Sequence, residues 1–349
     1  MRKIFALAFA LVFVASPALA FHDSGVADCQ GCHTMHNSED GALVDPDSPL
    51  GNPYLLRDAS ATDVCLACHA TRLGAVWGSD PLTPPAELGG GNFVFLAEDN
   101  LNDGHGGAAN PIPGYAGGHS VVAPSQLSGA DPVLLAAPGG TFPSSELSCT
   151  SCHDPHGNAE FRLLYGIGPV QDGLATFTAP APVALDNNRF GAEAVGAHTA
   201  YISGMSAWCG NCHGDFHNEA GGRLIHPSGS NLGGGIAQVY NLYNGTDDQL
   251  GGVATAAYLN EVPFEDAANT ITSTAGPSAS SQVMCLTCHR AHATSALDAG
   301  RWDFQVAFLH EDGSESGSYT IPDPYASVNQ RSLCNKCHRK DEGDAPFTP

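Results

Sequence analysis

One short pattern, Cys-x-x-Cys-His, occurs six times in this chain of 349 residues and uses all 12 of its cysteines. The intervals between copies are irregular, and no sequence repeat is visible outside them. The six copies are Cys29/Cys32/His33, Cys65/Cys68/His69, Cys149/Cys152/His153, Cys209/Cys212/His213, Cys285/Cys288/His289 and Cys334/Cys337/His338. Any fold of this chain must therefore bring six small units of the same chemistry into one structure.

The pattern is typical of covalent haem attachment, in which the two thiols form thioether bonds with the porphyrin and the histidine binds the iron. Two other interpretations explain less. A disulfide framework gives no reason for a histidine after every second cysteine. A structural zinc site needs four ligands, whereas each unit here stands alone. We therefore expect six covalently bound haem c groups, with the motif histidines as proximal ligands of the iron.

The N-terminus has the pattern of a secretory signal peptide. A basic start at residues 1–3 precedes an apolar run over residues 4–15, and the Ala-Leu-Ala of residues 18–20 is typical of a cleavage site. We predict a signal peptide over residues 1–20 and a single haem-organised domain over residues 21–349. The mature chain should be exported, to the cell exterior or the periplasm, without a membrane span.

The charge balance limits the partners. The chain has 36 acidic and 13 basic residues, a formal net charge of −23. Such a field argues against nucleic acid and anionic membranes, and it suits basic redox proteins or positively charged mineral surfaces. Solubility alone explains the charge equally well. A calcium ion near the haem propionates is compatible with so acidic a chain, but no EF-hand-like loop is present.

Composition also predicts a chain that is mostly coil and loop. The 41 glycines and 24 prolines are spread through the sequence, and segments such as 229–238 have the pattern of loops. Short helices are expected around the motifs. They are segment 62–73 with Thr62 or Asp63 as N-cap, segment 144–153 with Ser144 or Ser145 as N-cap, and segment 281–292. With about 55 residues for each haem, the stacked haems should form the core, because the chain is too short to enclose each one separately.

A second axial ligand for each iron must come from the ten histidines outside the motifs, since Met35, Met205 and Met284 are too few for six irons. Four of these histidines closely follow a motif histidine, three residues later at His36, His156 and His292 and four residues later at His217. Such a residue cannot reach the far face of its own porphyrin, but it can reach the iron of a neighbouring haem. His119 and His226 lie in turn-like segments suited to the same role. His105, His198 and His310 are predicted to be solvated.

Six stretches carry a more specific resemblance. FHDSGVADCQGCHTMHNS, APGGTFPSSELSCTSCHDPHG, GMSAWCGNCHGDFHN with RLIHPSG, CLTCHRAHA and RSLCNKCH are similar to the OmcS-like hexahaem c-type cytochromes, which polymerise into extracellular cytochrome filaments. The resemblance implies little regular secondary structure, bis-histidine haems that alternate between parallel and T-shaped stacking, and one continuous haem chain through head-to-tail protomers.

The resemblance also implies a role for each distal histidine. It assigns His36 to the fifth-site haem of the adjacent protomer. The distal candidates are His22, His36, His119, His156, His217, His226 and His292. Seven names for six positions leave one histidine surplus.

The predicted function is extracellular electron transfer through six haems, with no catalytic residues. The expected partners are other copies of the chain, redox donor and acceptor proteins, and extracellular minerals. One alternative is a monomeric periplasmic shuttle in which His36 binds an iron of its own chain. Another is a multihaem reductase, which needs an open iron position. No Cys-x-x-Cys-Lys motif marks such a position, and the distal candidates outnumber the irons.

Overall fold

Short turns and loops make up most of the structure. The computed structural model describes residues 29–70, 76–81, 84, 89–97, 112–170, 173–186, 193–214, 227–245, 251–306, 308, 324–325 and 330–339. Within these ranges the α-helices are α1 (Ala61–His69), α2 (Met205–Cys209), α3 (Gly233–Leu242) and α4 (Cys285–Cys288). The predicted signal peptide lies outside the described residues. Among the described residues, no helix is both long and apolar enough to cross a bilayer.

The strands are short and pair as antiparallel hairpins. The pairs are β1 (Ser38–Glu39) with β2 (Ala42–Leu43), β3 (Gly168–Pro169) with β4 (Thr176–Phe177), and β5 (Val183–Leu185) with β6 (Ala200–Ser203). The 3-10 turns are Cys29–Gly31, Pro53–Leu55, Phe93–Ala97, Gly114–Ala116, Pro124–Gln126, Ser144–Glu146, Cys149–Ser151, Phe161–Leu163, Ala254–Ala256, Leu297–Ala299 and Leu333–Lys336. The prediction of a loop-rich chain with short helices around the motifs is confirmed.

The predicted N-caps are wrong. Helix α1 begins after Ser60, whose hydroxyl accepts a hydrogen bond from the Asp63 amide at 3.0 Å. Thr62 and Asp63 are buried within the first turn of the helix. The helix begins earlier than predicted because Ser60 offers the same kind of hydrogen-bond acceptor two to three residues before them. Segment 144–153 forms two 3-10 turns, and the first follows Pro143 without a side-chain cap.

Helix α3 corrects the prediction of a loop over residues 229–238. Three glycines open this helix, and their low helix propensity hides it in the sequence. Tertiary burial of Ala237, Val239 and Tyr240 compensates for that propensity.

The apolar interior of the described residues consists of four small clusters. One surrounds Tyr240 and Trp302 and contacts cysteines of the fifth and sixth motifs. A second surrounds Trp77 and Phe93. The third includes Met205 and Met284 beside Cys209, and the fourth lies around Phe177 beside Cys212. Three of the four clusters thus contact motif cysteines.

Lys336, inside the sixth motif, joins that motif to helix α3. Its side chain is completely buried. The Nζ atom donates to the carbonyl oxygens of Tyr240 at 2.9 Å, Tyr243 at 3.3 Å and Ala257 at 3.2 Å, and to the Tyr325 hydroxyl at 2.9 Å. It also lies 4.0 Å from the centre of the Tyr240 ring, a cation–π distance. This one side chain satisfies carbonyls at the end of α3 that helix geometry leaves without donors.

Replacing Lys336 with Met tests this anchor. Met retains the apolar stem but leaves buried carbonyls without donors, so the free energy of unfolding should fall by about 1–3 kcal/mol. Urea unfolding followed by circular dichroism measures the change. Arg162→Met is the control, since it removes a partly exposed ion pair with Asp186 and should cost less than about 1 kcal/mol. Equal losses in both variants would contradict the anchoring role.

Candidate haem-binding sites

Each motif forms a turn of helix that places its two thiols and its imidazole on one side. The second motif lies in α1. In the other five, the amide of the histidine donates to the carbonyl of the first cysteine at 2.9–3.0 Å. Residues three and four positions apart lie on the same face of such a turn. The turn therefore presents all three groups that would hold one haem in a common direction.

Four of the motif imidazoles are oriented by main-chain carbonyls. Among the described contacts, Nδ1 lies 3.0 Å from the Tyr54 oxygen in His33, and 2.8 Å from the oxygens of Arg162, Pro138 and Asp298 in His153, His213 and His289, respectively. A carbonyl can only accept, so Nδ1 carries the proton in each ring. The lone pair on Nε2 is then directed away from the carbonyl and is available for a metal ion.

At the first, third and fifth motifs these bonds belong to a repeated structure, which we call the carbonyl latch. The latch segment is the stretch of chain whose first residue supplies the carbonyl to Nδ1. The residue after the motif histidine donates its amide to the carbonyl of the second residue of this segment. The amide of the fourth residue of the segment donates to the carbonyl of the second motif cysteine. At the fifth motif the two amide bonds are Arg290 N to Ala299 O at 2.8 Å and Arg301 N to Cys288 O at 2.7 Å. The corresponding bonds at the first and third motifs are 2.7–3.1 Å long.

Each latch contains two consecutive residues in the left-handed backbone region. They are Tyr54 and Leu55, Arg162 and Leu163, and Asp298 and Ala299, with φ between 54° and 57°. This conformation costs a non-glycine residue about 1–2 kcal/mol. The latch turns the chain sharply enough to direct its carbonyls at the imidazole. Sequence reasoning missed this feature because the functional atoms are main-chain oxygens, and no residue type is common to all three dipeptides.

The structure brings three motif histidines opposite three predicted distal histidines. The ring centroids are 6.4 Å apart for His33 and His156, 6.5 Å for His153 and His292, and 5.9 Å for His213 and His119. Two imidazoles on opposite sides of one metal, each with a metal–nitrogen distance of about 2 Å, have centroids roughly 6 Å apart. These residues therefore fit a haem iron held between two histidines.

The surroundings of two distal candidates favour the neutral imidazole that binds metal. Burial is the main cause that lowers the pKa of His292 to about 3, and the neighbouring His153 and His119 contribute to the same shift. Burial, followed by the neighbouring His213, also lowers the pKa of His119. Phe93 lies against the His292 ring with centroids 4.5 Å apart, which fixes the orientation of that ring.

His36 differs from these candidates. Its side chain is exposed, and within the described part of the chain it has no ring contact and no side-chain hydrogen bond. The candidates His22, His217 and His226 lie outside the described residues, as do His105 and His310.

The prediction that His198 is solvated is wrong. Its side chain is 1% exposed and lies against Tyr258, with ring centroids 3.8 Å apart. Burial lowers the pKa of His198. Aromatic packing in the interior explains this histidine, and no described motif histidine lies opposite it.

The thiols of consecutive motifs lie close together. All 12 cysteines are described, and none is in a disulfide. The neighbouring pairs are Cys32 and Cys68, Cys65 and Cys149, Cys152 and Cys212, Cys209 and Cys285, and Cys288 and Cys337. The motifs thus follow one another in space in their sequence order, meeting alternately through their second and their first cysteines.

Burial raises the pKa of the Cys152 and Cys337 thiols to about 12. Within the described ranges, no group of three or more histidine, cysteine or acidic side chains is arranged to hold a metal ion by itself.

Comparison with known proteins agrees with this geometry. No family model matches the chain. The c-type cytochrome OmcS of Geobacter sulfurreducens is 32% identical over an alignment of 423 positions, which covers 96% of this chain and 97% of that protein. The chain belongs to the OmcS family of c-type cytochromes. Haem c is accordingly the cofactor that the motifs are built to hold.

The shared fold extends over almost the whole chain. Two structures match with a TM-score of 0.77, the outer membrane cytochrome S filament and the OmcS nanowires of Geobacter sulfurreducens. The sequence identities are 30% and 29%, and both matches cover 92% of this chain and 100% of the other. The resemblance noted in the sequence is therefore confirmed.

The left-handed backbone of the latch predicts how substitutions at Asp298 change stability. Asp298 is exposed and has φ of 57°. Asp298→Val should lower the free energy of unfolding by about 1–2 kcal/mol, because a β-branched residue is disfavoured in the left-handed region. Asp298→Gly removes the same carboxylate but should be neutral or stabilising. Urea unfolding of the two variants provides the comparison. Equal effects would show that the carboxylate matters and the backbone conformation does not.

Proposed function

We propose that this chain is an extracellular electron conduit that binds six c-type haems and polymerises into a filament. The six motifs would attach the haems through their cysteines and bind the irons through His33, His69, His153, His213, His289 and His338. Each bound iron would supply one-electron oxidation and reduction. Membership of the OmcS family and the filament structures of its relative support this proposal.

The polypeptide contributes spacing, axial ligation and electrostatics. The meeting of consecutive motifs through neighbouring thiols supports a continuous path in sequence order. Their alternation between second and first cysteines suits the two alternating stacking geometries that the family resemblance implies. Electron transfer through such a chain needs no bound substrate, so we propose that the protein is not an enzyme. Its redox partners would be basic donor or acceptor proteins, or minerals, outside the cell.

The observation that most supports polymerisation is the order in which the histidine pairs occur along the chain. The first motif is paired with His156, which follows the third motif, and the third motif is paired with His292, which follows the fifth. The first and third motifs are thus each paired with a histidine that follows the next odd-numbered motif. If the same order continues, the histidine paired with the fifth motif must come from the first motif of another copy of the chain. That histidine would be His36, which is exposed.

The surface around His36 also suits a second copy of the chain. Met35 is 77% exposed and Tyr54 is 78% exposed, and Leu55 beside them is half-exposed. Apolar side chains gathered on a surface mark a site of association. A contact between two different surfaces repeats without closing and so builds a filament.

The axial assignments limit which of the seven distal candidates can be the surplus histidine. With His119, His156 and His292 paired inside the chain and His36 given to a neighbour, two irons remain for three histidines. The surplus residue is therefore one of His22, His217 and His226.

Removing a paired histidine tests the axial assignments. His156→Ala should convert one haem in six to a five-coordinate, high-spin form that binds carbon monoxide when reduced, since the first-motif iron loses its second imidazole. Absorption spectroscopy and carbon monoxide titration measure this stoichiometry. His198→Phe keeps the aromatic packing on Tyr258 and should leave every haem low-spin. Six low-spin haems in His156→Ala would contradict the pairing.

Removing the exposed histidine tests the polymer. His36→Ala should abolish filament assembly while the haem content remains unchanged, because the thioether sites are intact. Electron microscopy and pyridine haemochrome analysis provide the two measurements. Filaments of normal length in this variant would contradict the interface. A monodisperse wild-type protein across a wide concentration range would favour the monomeric shuttle instead.

A further inference from the structure

The residue after His36 is buried, although His36 itself is exposed. Asn37 is 4% exposed and has φ of 47°. It lies between the first motif and the hairpin formed by Ser38–Glu39 and Ala42–Leu43. A hairpin of two-residue strands is not stable by itself, so its position must be fixed from outside.

Asn37 fixes this hairpin through its side chain. Its Nδ2 atom donates to the carbonyls of Asp45 at 2.8 Å and Ser48 at 2.7 Å, and its Oδ1 atom accepts from the Asp45 amide at 2.8 Å. Every hydrogen-bonding group of the amide is thereby used. Its own carbonyl accepts from Val44 N at 3.0 Å.

The same network continues to the first latch. The Asp45 carboxylate accepts from the amides of Asp47 and Ser48 through Oδ1 and from Asn52 through Oδ2, at 2.8–3.2 Å. The Asn52 side chain also donates to the Leu56 carbonyl at 3.4 Å, and Leu56 pairs with His33 in an antiparallel bridge. The hydrogen bonds therefore run from the residue beside His36 to the segment that orients the first-motif imidazole.

Comparison with the third motif distinguishes the left-handed backbone that this position requires from the role of the Asn37 side chain. There, Gly157 follows His156 and has φ of 83°. Glycine is thus sufficient for the left-handed conformation at this position. The first motif has asparagine instead, and the additional groups are those that form the network.

We propose that Asn37, with Asp45 and Asn52, is a positioning network that holds the exposed His36 ready to bind the iron of another copy. This inference rests on the proposed function, in which His36 is an intermolecular ligand. Unlike His156 and His292, His36 has no described haem-site partner in its own chain to hold its ring before assembly. A preorganised loop loses less conformational freedom on association, which strengthens binding without adding contacts across the interface.

The experiment compares assembly of the mature, haem-loaded wild-type protein with that of Asn37→Gly. Glycine keeps the backbone conformation and removes only the side-chain bonds. The critical concentration for filament formation should rise about tenfold, which corresponds to 1.4 kcal/mol. Haem content should stay unchanged. The affinity of unassembled protomers for free imidazole, measured from the high-spin to low-spin conversion, should also stay unchanged because the iron that receives His36 is unaltered.

Two variants complete the test. Asn158→Gly removes an asparagine of the third-motif loop, whose side chain donates to the Leu164 carbonyl at 3.2 Å, and should leave the critical concentration unchanged. His36→Ala should form no filaments. Wild-type assembly of Asn37→Gly, loss of haem from it, or an equal effect of Asn158→Gly would overturn the positioning role and leave the proposed function intact. Filaments from His36→Ala would overturn both.

Discussion

The hydrogen bond between an imidazole Nδ1 and a main-chain carbonyl is the interaction on which the haem-binding sites depend. It fixes the proton on Nδ1, leaves Nε2 available to a metal ion and determines the plane of the ring. The carbonyl comes from a separate segment, so orienting the ligand also fixes the path of the chain. In three motifs that segment contains two left-handed residues. Such backbone persists only where surrounding bonds determine it, and the latch provides them.

The intrachain histidine pairs give the molecule a direction. The third and fifth motifs each supply a histidine to the odd-numbered motif before it. Under the proposed function the chain would therefore have a donor end at His36 and an acceptor end at the fifth motif. This polarity would make assembly head-to-tail without a specialised interface domain. The acidic chain should repel other copies of itself, and the proposed coordination bond between protomers would act against that repulsion.

The sequence specified the chemistry of the sites better than their framework. The motifs predict the thiols and the proximal histidines, and the recurrent spacing selected His156 and His292, which the structure places opposite motif histidines. The latches could not be predicted, because main-chain oxygens have no sequence signature. Helix α3 was missed because its burial outweighs three glycines of low propensity. His198 was misassigned because an isolated histidine gives no sign that Tyr258 lies against it.

The three latches differ in the length of chain between the imidazole and the carbonyl that orients it. In the third and fifth motifs the carbonyl lies 9 positions after the histidine that it orients, whereas in the first motif it lies 21 positions after it. The hairpin and the Asn37 network occupy the additional length. Loop closure becomes only slightly more costly as a loop lengthens, so an insertion between fixed ends is tolerated. One unit of a repeated architecture can therefore acquire an additional surface by insertion, while the carbonyl that orients its imidazole keeps its place.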